Sequence, residues 1–60
     1  MSVSVGDVFE QASAAPGFAP MRFVVERKAE RPGWWWCEGI VRRRIPERAL
    51  LNPRVYRRLG

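Results

Sequence analysis

A mainly β domain of four to five short antiparallel strands, with one short helical turn before the last strand, is the fold that the sequence predicts. Three observations carry this. Met21-Arg22-Phe23-Val24-Val25-Glu26-Arg27 alternates along its length with the two-residue period of a strand. Glu30-Arg31-Pro32-Gly33 has type II turn chemistry, with Pro presetting φ at one position and Gly supplying positive φ at the next. Between Pro46 and the stop at Asn52-Pro53 only one or two turns of helix fit.

The elements follow in order. Val3 and Val5 alternate with serines, Gly6-Asp7 punctuates, and a strand is expected over about 7–11. Residues 11–20, rich in Ala and Pro and free of charge, read as a flexible loop, with Phe18 expected to pin it onto the core. The alternating strand at 21–27 places Met21, Phe23 and Val25 on one face. Across the Pro32-Gly33 turn a hairpin partner is expected over 34–41, bent or bulged at Gly39. Period two puts Trp34 and Trp36 on one face of that strand and Trp35 with Cys37 on the other. Arg42-Arg43-Arg44 then leads into Ile45-Pro46-Glu47, where Pro suits the first helical position and Glu the first turn. A closing strand is expected from Arg54 to Gly60, with Val55 and Leu59 on one face and Tyr56 and Arg58 on the other.

Such a series outlines a small SH3-like barrel in a single domain, residues 1–60. Val5-Gly6-Asp7-Val8-Phe9, Arg22-Phe23-Val24-Val25, Arg44-Ile45-Pro46, Leu50 and Tyr56-Arg57 together resemble small SH3-like barrel proteins of actinobacterial phages and their hosts. The resemblance implies the same barrel and a phage-type origin. The Ala/Pro loop and the triple tryptophan depart from that pattern.

A chain of 60 residues buries only about 60% of the surface its unfolded form exposes, so large apolar side chains are needed for the core. Cys37, the one cysteine, cannot form an intramolecular disulfide, and there is no histidine to complete a zinc site. Its place between Trp36 and Glu38 marks it as a packing residue. No cofactor is expected. With no covalent or metal staple, homodimerisation is a further means of support. The N-terminal residues lack the pattern of a leader and no window approaches a membrane span, so a cytoplasmic protein without membrane contact is expected.

The residue inventory argues against catalysis. There is no histidine, the hydroxyls are Ser2, Ser4, Ser13 and Tyr56, and no acid/base partner stands out for Cys37. The six carboxylates form no dyad, and the glycines form no phosphate loop. The expectation is a protein that binds and does not catalyse.

Charge points to where it binds. Residues 1–30 carry three basic and four acidic side chains, whereas residues 31–60 carry eight basic and two acidic, within a net charge of +5. Arg31, Arg42, Arg43, Arg44, Arg54, Arg57 and Arg58 share that second half with Trp34, Trp35 and Trp36. These ten residues are the candidate site. If the last strand pairs near the tryptophan strand, they form one basic surface flanked by aromatics, the combination that holds nucleic acid by phosphate contact and base stacking. Each feature also has a plainer reading: the tryptophans can be covered by the barrel or a dimer, and the arginine run can be a solvated edge. The leading expectation is an accessory or regulatory protein that binds DNA or RNA. The other is a protein-interaction module, an inhibitor or adaptor of a host protein, docking through the aromatic patch.

Overall fold

The computed structural model describes residues 2–60. In chain order it has β1 (Val8–Gln11), β2 (Arg22–Lys28), β3 (Trp34–Glu38), β4 (Arg43–Pro46), α1 (Glu47–Leu50) and β5 (Tyr56–Arg58). Every pairing is antiparallel, and the sheet order is β4-β3-β2-β1-β5. The fold is therefore mainly β, a five-stranded curled half-barrel with one short helix before the last strand, consistent with a small SH3-like barrel.

The curl shows in the contact between β2 and β5. Phe23 meets the Tyr56 ring edge to face, with centroids 6.3 Å apart and planes at 79°, although β1 lies between their strands. The concave face holds Phe9, Phe23, Val25, Trp35, Cys37, Ile45 and Tyr56, and Val3 and Leu50 complete the buried cluster. α1 bridges the two edge strands, packing Leu50 into the core beside β4 and β5.

The β2–β3 hairpin forms as its sequence requires. Gly33 has φ of 82° and the Trp34 N–H donates to the Arg31 carbonyl at 3.2 Å, the geometry of a type II turn. The chain bends at Gly39 as expected, and a separate irregularity lies in β2, where the register shifts between Val25 and Arg27. Strand β3 ends at Glu38, short of Val41. Gly39 packs so closely on β2 that a Cβ there would stand 2.5 Å from the Arg22 carbonyl oxygen. The chain then turns outward and leaves Ile40 90% exposed.

Three further departures have local causes. Arg43–Pro46 is a strand, paired as Trp35↔Ile45 and Trp36↔Arg44, where the sequence reads as a basic connection. Its alternation is masked because only Ile45 of the four is buried and two of the others are arginines. Pro46 ends that strand as the N-cap of α1, in an extended conformation (φ −68°, ψ 142°), and is not its first helical residue. Phe18 does not pin the loop: it is 75% exposed. A second Pro-Gly turn, with Gly17 at φ 84° and the Phe18 N–H donating to the Ala15 carbonyl at 3.0 Å, closes the loop on itself. The loop's base is held by Gln11, a β1 residue, whose N–H donates to the Met21 carbonyl and whose Oε1 accepts the Met21 N–H.

At the C-terminal end, β5 pairs with β1 as Phe9↔Arg58, Glu10↔Arg57 and Gln11↔Tyr56. Tyr56 supplies the inward face, and Val55 and Leu59 stay exposed. The supposition that the last strand lies near the tryptophan strand is incorrect. Both β1 and β2 separate β5 from β3. Chain ends brought side by side at Val8 and Gly60 explain this: the Val8 N–H donates to the Gly60 carbonyl at 3.0 Å, so the last strand completes β1's open edge.

Candidate nucleic-acid interface

The ten candidate residues separate into three groups. Trp35 belongs to the core, next to fully buried Cys37. Its indole Nε1 donates to Glu47 Oε1 at 3.1 Å. That carboxylate oxygen also accepts the Val3 N–H at 3.4 Å, while the Glu47 N–H donates to the Gly33 carbonyl at 2.8 Å. One glutamate thus ties the N-terminal segment, the β2–β3 turn and the tryptophan strand together. Burial pushes the Cys37 thiol up to about 11, which keeps it protonated and unreactive near neutral pH.

Arg43, Arg54, Arg57 and Arg58 also lie away from the exposed tryptophan face. Arg43 shares the inward side of β4 with Ile45, and its guanidinium lies 5.8 Å from the Phe23 ring centroid at the barrel's edge. Arg57 and Arg58 are on β5 at the far edge, and Arg54 is in the turn before it. Arg58 is occupied: it donates to Asp7 Oδ2 at 2.9 Å and to the Ser2 carbonyl at 2.7 Å.

What remains is a coherent convex face on β2, β3 and β4. Strand alternation places Trp34 and Trp36 there because Trp35 and Cys37 fill the concave side. Trp36 stands opposite Arg27 on one neighbour and Arg44 on the other. The guanidiniums of Arg27, Arg42 and Arg44 lie 5.6, 4.8 and 5.4 Å from its ring centroid. All are within cation–π range. Arg27 belongs to this cluster although it lies in the first half of the chain; the β2–β3 register, shifted by the bulge, is what brings it there.

Carboxylates neutralise part of the cluster. Arg42 pairs with Glu26 and, at 3.9 Å, with Glu38. Arg27 pairs with Glu26 at 3.8 Å and Glu30 at 3.7 Å. Glu26 is held below the usual carboxylate range by a hydrogen bond with Glu38 and by Arg42. Glu30 is lowered by its own backbone amide, then by the Trp36 indole, Arg27 and Arg44. The Trp36 Nε1 is itself buried and has no acceptor within hydrogen-bonding geometry, so Glu30 and the indole act on one another at longer range.

Around Trp34 the balance differs. Arg31 lies 5.6 Å from its ring centroid. Arg31, Trp34 and Arg44 line a hollow of about 310 Å³. Trp34 also lines a second hollow of about 290 Å³, with Lys28, Arg31, Trp35 and Glu47 among others. Among the described residues, neither Arg31 nor Arg44 takes part in a salt bridge. A half-buried indole that shares a hollow with two guanidiniums in no salt bridge can accept an anion and a flat ring together.

The sequence signal for Trp34, Trp36, Arg31, Arg42 and Arg44 was the Trp-Arg proximity along the chain, and the hairpin register makes it spatial. Lys28, Arg27 and Glu47 were missed, the first two because they precede the turn and the third because its helix-start role looked sufficient. No family model matches this chain, and no curated protein or solved structure shows a significant match to it.

Proposed function

We propose that this protein is a non-enzymatic nucleic-acid-binding accessory or regulatory protein, of phage type, that engages its partner through the convex face of β2, β3 and β4. The observation that carries the reading is the hollow that half-buried Trp34 shares with Arg31 and Arg44, two cations that are in no salt bridge among the described residues. Phosphate contacts supply affinity and the indole supplies stacking. Arg42, Arg27 and Trp36 form the scaffold behind it. Fluorescence anisotropy with labelled DNA and RNA at two salt concentrations tests this. Two phosphates neutralised by Arg31 and Arg44 give a log–log salt slope of about −1.4 on a single strand or about −1.8 on a duplex. Arg44→Gln lowers affinity and flattens the slope by roughly one unit. Binding without salt dependence, or none at low salt, would overturn the reading.

A second reading, a protein-interaction module acting on a host protein, draws on a different place. Phe18 and Ile40 are strongly exposed and line a hollow with Ala14, Ala15, Ala19 and Met21 that carries no charged side chain. Uncharged apolar surface of this kind suits a protein partner. Phe18→Ser with Ile40→Ser abolishes capture of such a partner from nuclease-treated lysate and leaves nucleic-acid affinity unchanged.

A further inference from the structure

Trp34 and Trp36 share a face, but only one has room for a ligand. Three guanidiniums lie against the Trp36 ring and its Nε1 is buried. Trp34 has a single guanidinium contact and lines two hollows. A base in a duplex exposes only its edges in the grooves, because its two faces are stacked on neighbours. An indole can stack only on an unpaired base. The two hollows are also unlike in charge. The smaller one sets Glu47 against Lys28 and Arg31, so part of its positive charge is offset, whereas the larger is lined by Arg31, Trp34 and Arg44 alone. Arg44 is held against the Trp36 ring at 5.4 Å, which fixes its direction before any ligand arrives.

We propose that this site selects single-stranded nucleic acid, stacking one unpaired base on Trp34 while Arg31 and Arg44 hold the adjoining phosphates in the larger hollow. The inference rests on the nucleic-acid reading and narrows it to a strand type. Trp36 serves to position Arg44 and makes no contact with the base.

The experiment compares an eight-nucleotide oligo-dT with a hairpin duplex at one salt concentration, by anisotropy and by quenching of tryptophan fluorescence. The native protein binds the single strand at least about tenfold more tightly, with quenching. Trp34→Ala weakens single-strand binding about 5-fold to 150-fold, the range for one stacked base. Trp34→Phe, which keeps a stacking face, retains most of the affinity and guards against a folding defect in the alanine variant. Equal or tighter duplex binding overturns the strand selectivity and leaves the broader reading standing. Unchanged affinity in folded Trp34→Ala does the same. Failure of both nucleic acids to bind ends the inference and the broader reading together. Displacement of the oligonucleotide by a poly-glutamate peptide at matched charge concentration also overturns it, because charge alone would then suffice.

Discussion

Replacing Glu47 by alanine removes the one side chain that joins three segments of the fold. Its Oε1 accepts the Trp35 indole N–H at 3.1 Å and the Val3 N–H at 3.4 Å. A hydrogen bond to a charged group contributes about 1.5–3 kcal/mol, and the long Val3 bond adds little to that. A carboxylate in the first turn of a helix adds about 0.3–1 kcal/mol, taken at the low end because α1 is a single turn. The sum is a loss of roughly 2–3.5 kcal/mol, against the 3–5 kcal/mol that a core of this size rarely exceeds. Glu47→Gln keeps an acceptor oxygen but not the charge, and costs about 1 kcal/mol.

Urea unfolding followed by tryptophan fluorescence and far-ultraviolet circular dichroism measures both variants. An unchanged slope with a lower midpoint assigns the effect to stability. In thermal scans a loss of this size lowers Tm by about 8–28 °C. If Glu47→Ala lies within about 0.5 kcal/mol of the native protein, or if Gln and Ala cost the same, the bond to Trp35 does not hold the segments together and the reasoning fails.

Two further outcomes follow from close packing and from burial. Gly39→Ala puts a Cβ 2.5 Å from the Arg22 carbonyl oxygen and 3.0 Å from the Phe23 ring, so β2 and β3 must part at that end. The cost is about 1–3 kcal/mol in urea unfolding, and a variant as stable as the native protein would show that the chain relaxes there freely. Cys37 has its folded pKa raised from 9.0 to about 11 by burial. The unfolded thiol therefore loses its proton first, and the associated stability is complete below pH 9.0 and is lost as pH rises through about 11. Two units correspond to about 2.7 kcal/mol as an upper bound. Comparing native and Cys37→Ala between about pH 8 and about pH 10.5 reads it out: the variant loses less stability over that interval. Buried Tyr56, raised in the same direction, leaves a residual slope in both; identical slopes would refute the assignment to Cys37.

Strands that alternate and turns that carry Pro-Gly were legible directly. β2, the type II turn at Arg31–Trp34 and the sharing of one face by Trp35 and Cys37 rest on two-residue periodicity and on the φ that Gly33 permits, whereas which tryptophan face turns inward does not follow from them. β4 was hidden because a four-residue edge strand needs only one buried side chain, Ile45, and its arginines read as a charge run. The place of β5 could not be read at all, since strand order depends on which open edge the chain reaches. Nothing in Tyr56-Arg57-Arg58 states that it will pair with β1. The site suffered the same limit: Trp34, Trp36, Arg42 and Arg44 are near one another in the chain and in space, whereas Arg54, Arg57 and Arg58 are near only in count.

Net charge of +5 is a poor guide to where an anion binds on this protein. Five of the six carboxylates are spent on Arg22, Arg27, Arg42 and Arg58, so these four cations are already compensated. The sixth, Glu47, is directed inward to Trp35 and Val3. Among the described residues, Lys28, Arg31, Arg43, Arg44, Arg48, Arg54 and Arg57 are in no salt bridge. Of these, Lys28, Arg31 and Arg44 line hollows beside the half-buried Trp34, Lys28 in the one that Glu47 also lines and Arg31 with Arg44 in the one lined by no carboxylate. Arg43 caps the inward side and Arg57 the far edge, where the neighbouring rings, Phe23, Phe9 and Tyr56, are buried and offer no face for stacking. Basic charge spread over the surface attracts any polyanion; the coincidence of uncompensated guanidiniums with an accessible ring occurs beside Trp34. Removing Arg57 should therefore weaken attraction at a distance, through the net field, while removing Arg44 weakens the bound state.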